Sequence, residues 1–173
     1  MLGLVPIALG GAAALAAPTP DLLVTGDGRH LALVDGSGRP ALLRDRSGDF
    51  IRGLISENSG YDGEPLSVSD SAGARCSRDT CIADIARAGR SWRVLATRSG
   101  QRLHWADIIQ ACAAADIVVS DRWLPRACTP NWLKLDRKAL ESSGGMAIYL
   151  GEEPRVETVA ERVGDHPWAG TRR

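Results

Sequence analysis

Four cysteines are the residues of this chain whose spacing points most directly to chemistry. They form a close pair, Cys76 and Cys81, and a wider pair, Cys112 and Cys128. An even number of cysteines after an apolar N-terminal segment favours disulfides, and this pairing is one of three that are possible. Zinc is a weaker alternative, because the spacing is wider than in common zinc knuckles and no second close pair or nearby histidine supports it. Reduced cysteines buried in the core are the remaining alternative.

A second group of residues combines arginine with tryptophan around one expected hairpin. The arginines are Arg87, Arg90, Arg93, Arg98 and Arg102, and the interleaved aromatic residues are Trp92 and Trp105. Guanidinium groups contact phosphates and indole rings stack on bases, so this composition is typical of single-strand binding. We therefore treat the five arginines as candidate DNA contacts. The alternative is an amphipathic hairpin, because neighbouring strand residues such as Trp92 and Arg93 point to opposite faces.

No pattern in the sequence identifies a catalytic, cofactor-binding or metal site. The three histidines, His30, His104 and His166, are far apart in the chain. There is no Gly-x-Ser-x-Gly elbow and no glycine loop of the kind that cradles phosphate. Asp27 and Asp35 lie in glycine-rich turns, where aspartates bond their own backbone. We expect no catalytic residue, no metal ligand and no small-molecule cofactor.

The N-terminal segment is apolar and its first 17 residues carry no charge. A helix of that length reaches about 25 Å, slightly less than a bilayer core of about 30 Å. It is either the end of a transmembrane helix or a signal-like segment with an alanine-rich cleavage region but no basic start. A buried helix of the domain is the third alternative. The chain is therefore divided into this segment, residues 1–20, a single globular domain, residues 21–168, and a frayed C-terminus, residues 169–173.

The elements that position these residues are mostly strands at first and helix–strand units later. Strands are predicted at residues 22–25, 30–34, 41–44, 81–86, 92–97, 116–120, 145–150 and 155–159. Helices are predicted from a Ser47 cap to Gly60, from Trp105 through Cys112, and from an Asp136 cap to Gly144. This order predicts a layered α/β (α+β) domain with a mixed sheet and flanking helices.

The most apolar of these strands, residues 116–120, is predicted to be central and covered on both faces. It runs directly into Asp121 and Arg122. Residues at strand ends often form sites in α/β proteins, whereas adjacent opposite charges more often form ion pairs. Formal net charge is zero, which argues against a strong autonomous nucleic-acid binder.

Several stretches together resemble the C-terminal metallo-β-lactamase-like domain of ComEC-type competence DNA-uptake channel proteins of the α-proteobacterial type. The opening hairpin reads DLLV, a glycine turn and LALVDG, and the later helix and strand read LATRSGQRLHWADIIQACAAADIVVSDRWLP, followed by CTPNWLKLDRKAL. The resemblance implies a metallo-β-lactamase-like sandwich. The metal-binding His-x-His-x-Asp-His motif of active members is absent, so the resemblance implies a degenerate site.

What the resemblance implies for function is a non-catalytic domain of an inner-membrane channel that imports single-stranded DNA during natural transformation. Its partners would be the membrane channel portion of the same polypeptide and single-stranded DNA. Cysteine content favours a periplasmic position for the domain. Two alternatives remain: a free exported binding module stapled by disulfides, and a nuclease or hydrolase with a non-standard metal site.

Overall fold

The computed structural model describes residues 4–101 and 103–164. The expectations for Arg102, His166 and the C-terminal residues 165–173 lie outside this described part of the chain. The described helices are α1 (Leu4–Ala16), α2 (Asp49–Ser59), α3 (Trp105–Ala113), α4 (Arg137–Ser143) and α5 (Val159–Val163). The described strands are β1 (Leu22–Thr25), β2 (Leu31–Val34), β3 (Pro40–Leu42), β4 (Leu66–Ser67), β5 (Ala74–Cys76), β6 (Thr80–Arg87), β7 (Arg90–Thr97), β8 (Ile117–Val119), β9 (Leu133–Leu135), β10 (Gly145–Tyr149) and β11 (Arg155–Thr158).

The strands form two mixed sheets, which confirms the predicted α+β class. The first sheet has the order β11-β10-β1-β2-β3-β4; β3 and β4 are parallel and the other neighbours are antiparallel. The second sheet has the order β5-β6-β7-β8-β9, in which β5, β6 and β7 are antiparallel and β7, β8 and β9 are parallel. The carboxyl ends of β7, β8 and β9 therefore lie at one edge of the second sheet.

The two sheets pack face to face through one apolar cluster. Leu22 and Leu31 of the first sheet belong to it, together with Trp92, Ile117 and Leu135 of the second. Strand residues alternate between faces, so their neighbours point away from this core. The result is a sandwich whose inner layer is filled from both sheets.

A helix covers the outer face of each sheet. Ile55 of α2 packs on Ala32 and Leu42 of the first sheet. On the second sheet, Ile108 and Cys112 of α3 join Val118 and Leu95 in a separate buried cluster. The layers therefore run helix, sheet, sheet, helix, and β8 is covered on both faces as the sequence predicts.

Two helix predictions need correction. Ser47 is not the cap of α2, because Gly48 occupies the cap position without a side-chain bond and the Ser47 hydroxyl donates to the Arg44 carbonyl. The spacing of Phe50, Ile51, Leu54 and Ile55 predicts one apolar face of α2, and that of Trp105, Ile108, Ile109 and Cys112 predicts one of α3, but only part of each set is buried. Phe50 and Trp105, each in the first turn of its helix, are exposed.

The N-terminal helix α1 joins the domain just before β1. Its side chains at Val5, Ile7 and Leu9 are exposed and contribute nothing to the core. Within residues 4–101 and 103–164, no helix has both the length and the apolar character needed to cross a bilayer.

Candidate functional site

Polar side chains from both sheets meet where the parallel strands β7, β8 and β9 end. We call this surface the carboxyl edge; it comprises residues 26–30, 43–50, 77–80, 97–101 and 120–123, with the first turn of α3. The β1–β2 turn fits closely against the end of β8 there. A Cβ added at Gly28 would lie 2.7 Å from the Ser120 carbonyl oxygen, and Gly28 has a φ of +67°. Only glycine allows both the backbone angle and this approach.

An ion pair between Arg44 and Asp121 links the two sheets at the carboxyl edge. Arg44 Nη2 lies 3.1 Å from Asp121 Oδ2, and the side chains are only 21% and 16% exposed. Arg122 Nε adds a longer contact with Asp121 at 3.7 Å. The carboxylate is thus held in place by two guanidinium groups, so the strand-end aspartate is an ion-pair partner.

His30 lies beside this pair and has a defined tautomer. Its Nδ1 is 3.2 Å from the Ser47 oxygen, and the Ser47 hydroxyl proton goes to the Arg44 carbonyl at 2.7 Å. Nδ1 must therefore be the donor to Ser47. Burial lowers the pKa of His30; Asp27 opposes the shift, and the charges of Arg44 and Arg29 reinforce it. His30 is neutral at pH 7.

Further bonds make the carboxyl edge a continuous framework. The Thr97 hydroxyl donates to Ser120 at 3.1 Å, in a fully buried contact between β7 and β8. Arg98 reaches Asp45, in the segment after β3, at 3.6 Å. The Arg122 guanidinium also donates to the Gln101 carbonyl.

The aspartates Asp27 and Asp121 of the carboxyl edge are held by a turn and by an ion pair. Across the residues that the structure describes, no three His, Cys, Asp or Glu side chains are placed to hold a metal. Asp27 is a turn residue, as predicted, and accepts the Arg29 amide at 3.0 Å. Burial would raise the pKa of Asp27, but bonds from the Thr25 hydroxyl and the Arg29 amide outweigh it and lower the pKa.

Three of the predicted DNA-contact arginines lie together on the hairpin of β6 and β7, and each contacts a carboxylate. Arg90 pairs with Asp116 at 3.1 Å and Arg93 with Asp84 at 2.7 Å. Arg87, at the end of β6 in the second sheet, donates to Asp21 and to the Val34 carbonyl of the first sheet. It therefore links the two sheets.

Strand β7 separates these residues from the remaining candidate. Arg98 follows its last residue, about 26 Å from Arg90 at the usual strand rise. Arg102 lies outside the described residues. Trp92 is 2% exposed whereas Arg93 points outward, as the amphipathic alternative predicts.

The cysteines form the two pairs that the sequence favours. Cys76 and Cys81 are directly opposite on β5 and β6, with Cα atoms 4.0 Å apart. Cys112 and Cys128 have Cα atoms 5.2 Å apart and tie the end of α3 to the loop after β8. Zinc is therefore not needed to explain the cysteines.

The sequence does not reveal the contacts that build the carboxyl edge. Arg44 and Asp121 are separated by 77 positions, and His30 and Ser47 by 17. The one signal in the sequence is the polar run after the most apolar strand, which contains Asp121 and Arg122. No family model, no curated protein and no solved structure matches the chain in comparisons with known proteins.

Proposed function

We propose that this chain is a non-catalytic, metallo-β-lactamase-like domain of a ComEC-type inner-membrane channel that imports single-stranded DNA during natural transformation. The observation that carries the proposal is the layering of helix, sheet, sheet and helix on a domain joined at Asp21 to an apolar segment. A sandwich flanked by helices, directly after a membrane helix, is the arrangement that the resemblance implies.

A non-catalytic role is supported by the chemistry of the carboxyl edge. Active metallo-β-lactamase-like hydrolases activate water on metals held by clustered His and Asp side chains. This chain has Ser120, Asp121 and Arg122 at the end of β8, the strand that in many members of that family runs into a histidine pair. Asp121 is bound by Arg44. His30 is a neutral side chain that donates to Ser47. These groups stabilise the junction of the two sheets and leave no activated nucleophile.

A periplasmic position is supported by the disulfides. Disulfides persist in oxidising compartments such as the bacterial periplasm and are rare in the cytosol. The two cysteine pairs, one on neighbouring strands and one on a helix and a loop, are both formed in the folded domain. The partner is the channel portion of the same polypeptide, with the apolar segment as the end of its last membrane helix.

The test combines the size of the native polypeptide with a transformation assay. We expect peptides from residues 21–164 in a membrane-bound polypeptide much larger than this chain, and reduced uptake of labelled DNA when the domain is deleted. A periplasmic species that begins near Pro18, with normal DNA uptake in the deletion strain, would refute the proposal.

A second candidate is a free exported binding module, which the same two disulfides favour. In that case the apolar segment is removed by a signal peptidase within the alanine-rich run before Pro18. Sequencing of the mature N-terminus separates the two candidates, because the channel proposal predicts no cleavage there.

A further inference from the structure

We infer that the carboxyl edge, and not the hairpin of β6 and β7, is the surface that contacts single-stranded DNA. The choice of DNA as the ligand rests on the proposed function. The location rests on where the structure leaves aromatic side chains exposed and arginines without carboxylate partners.

Exposed aromatic side chains are concentrated at the carboxyl edge. Phe50, Trp105 and Trp123 are 79%, 62% and 73% exposed. Trp92 and Trp132, by contrast, pack together between the sheets with ring centroids 5.1 Å apart. Phe50 and Trp105 lie in the first turns of the helices that leave the edge, and Trp123 follows Arg122. Single strands are bound by such rings, because every base offers a face for stacking.

Of the five described arginines without an ion pair, three lie at the same edge, whereas Arg39 lies in the β2–β3 turn and Arg126 follows Trp123. Arg29, Arg46 and Arg78 are exposed and form no ion pair with any residue of the described chain. They come from the β1–β2 turn, the segment after β3 and the β5–β6 turn. The hairpin arginines differ, because Arg90 and Arg93 are already paired with Asp116 and Asp84. A phosphate would have to compete with those carboxylates for the hairpin arginines. Arg29, Arg46 and Arg78 have no carboxylate of a described residue within ion-pair distance, although Asp27, Asp49 and Asp79 lie on the same edge.

The framework beneath these side chains is cross-linked by ion pairs and a disulfide. The Arg44–Asp121 and Arg98–Asp45 pairs cross from one sheet to the other. Cys76 and Cys81 close the strands that carry Arg78. The backbone that carries these side chains is already held in place, so little backbone entropy is lost when they bind. This favours recognition of a flexible ligand.

The position of the apolar segment favours DNA over a lipid surface as the ligand. Exposed tryptophan and arginine also occur at membrane interfaces. The apolar segment, however, enters the domain at Asp21, which Arg87 holds at the opposite end of the strands. In the proposed function the apolar segment is the point of membrane attachment. The carboxyl edge is at the other end of the domain, on a side that a strand in transit can reach.

The experiment measures binding of a fluorescent oligothymidylate to the full 173-residue chain in detergent micelles, by fluorescence anisotropy. The edge variants are Trp105→Ala with Trp123→Ala, and Arg46→Gln with Arg78→Gln. The matched comparison is Arg90→Gln with Arg93→Gln, which removes the same charge from the hairpin. Thermal melting of each variant checks folding. We expect each edge pair to weaken binding about 10-fold or more, and the hairpin pair to weaken it less than about 2-fold.

Salt dependence adds a measurement specific to phosphate contacts. Two lost contacts to a single strand should reduce the slope of log K against log salt concentration by about 1.4 in the Arg46/Arg78 variant. An unchanged slope would overturn the assignment of these arginines.

The outcomes separate this inference from the proposed function. Weakened binding in the hairpin pair alone would overturn the carboxyl-edge inference and leave the proposed function intact. No binding by the unmodified chain would overturn the DNA-contact role itself. Loss of binding to anionic vesicles in the edge variants, with unchanged oligonucleotide binding, would identify the edge as a lipid contact and overturn the inference.

Discussion

At the scale of single residues, the Arg44–Asp121 pair is the contact that most directly joins the two sheets. Replacing Arg44 with Met retains much of its volume but leaves the Asp121 carboxylate partly buried without its main partner. Removing a hydrogen bond to a charged group costs about 1.5–3 kcal/mol, so we expect a loss of that size in the free energy of unfolding. Urea denaturation measures it.

Arg46→Met is the matched control for this substitution. Arg46 is two positions away, is exposed and forms no ion pair with a described residue. Its replacement should change the free energy of unfolding by less than about 0.5 kcal/mol. Adding Asp121→Asn to Arg44→Met should recover part of the loss. Equal effects of Arg44→Met and Arg46→Met would contradict the proposed importance of the pair.

His30 makes stability depend on pH in a defined direction. Its pKa in the folded protein is lowered, first by burial, so the unfolded chain takes up a proton at a higher pH than the folded chain does. The folded state is therefore favoured fully above the unfolded value of about 6.5 and loses stability as pH falls below it. We expect the melting temperature to decline between about pH 6.5 and pH 5.

A His30→Gln variant tests the source of this decline. The amide can still donate to Ser47 but does not titrate. The decline in melting temperature between neutral and mildly acidic pH should be smaller in this variant than in the unmodified chain. If both proteins decline in parallel over that range, another group is responsible.

At the scale of elements, the β1–β2 turn is limited by its approach to the end of β8. Gly28→Ala introduces a Cβ at 2.7 Å from the Ser120 carbonyl oxygen and also disfavours the positive φ of +67°. The cost of placing alanine in this left-handed backbone conformation is by itself about 1–2 kcal/mol, and we expect the free energy of unfolding to fall by at least that amount. Gly36→Ala is the control, because nothing lies within 4 Å of a Cβ at that position. Comparable melting temperatures for the two variants would count against this account.

The two disulfides should contribute unequally. Cys112 and Cys128 are separated by 16 positions, and Cys76 and Cys81 by 5. In the chain-entropy account, the longer loop is worth about 3 kcal/mol and the shorter about 2 kcal/mol. Paired Cys→Ala variants, unfolded in urea, should therefore show the larger loss for Cys112 and Cys128. A larger loss for the cross-strand pair would show that this account does not apply.

Turns and helix ends are predictable from this sequence, because they depend on a few residues that are adjacent in the chain. The two-residue loop Ala88-Gly89 has positive φ at both positions and joins the predicted hairpin. Asp136 accepts the Ala139 amide at the start of α4, and Gly144 ends that helix in a left-handed conformation, both as predicted. The short strand β9 was not predicted, because its three residues become a strand only by pairing with β8.

The candidate site is far less predictable, because long-range pairing builds it. The sequence identifies Arg90 and Arg93 as an apparent basic surface, yet their partners Asp116 and Asp84 become visible only when the strands are aligned. The exposure of the aromatic side chains is equally hard to predict from the sequence. Trp105 has the spacing of a core residue, but it is the first residue of α3 and its ring is exposed to solvent.

At the scale of the whole molecule, the sandwich has two ends with different chemistry. At one end Arg87 and Arg90 bind Asp21 and Asp116, close to the entry of the apolar segment. At the other end lie Arg29, Arg46 and Arg78, which form no ion pair with a described residue, and the exposed aromatic side chains of the carboxyl edge. A domain built in this way can be attached at one end and bind at the other.

This polarity leads to the last prediction, which concerns the domain at a membrane. With the full chain in lipid vesicles, Trp105 and Trp123 should be quenched by aqueous iodide and not by brominated lipids, because the carboxyl edge points away from the apolar segment. The contribution of each ring is obtained by difference from Trp105→Phe and Trp123→Phe variants, while Trp92 stays shielded between the sheets. Quenching of Trp105 or Trp123 by brominated lipid would place the carboxyl edge on the bilayer and reverse the orientation. Iodide quenching alone means that the edge stays in water, where a single strand can reach it.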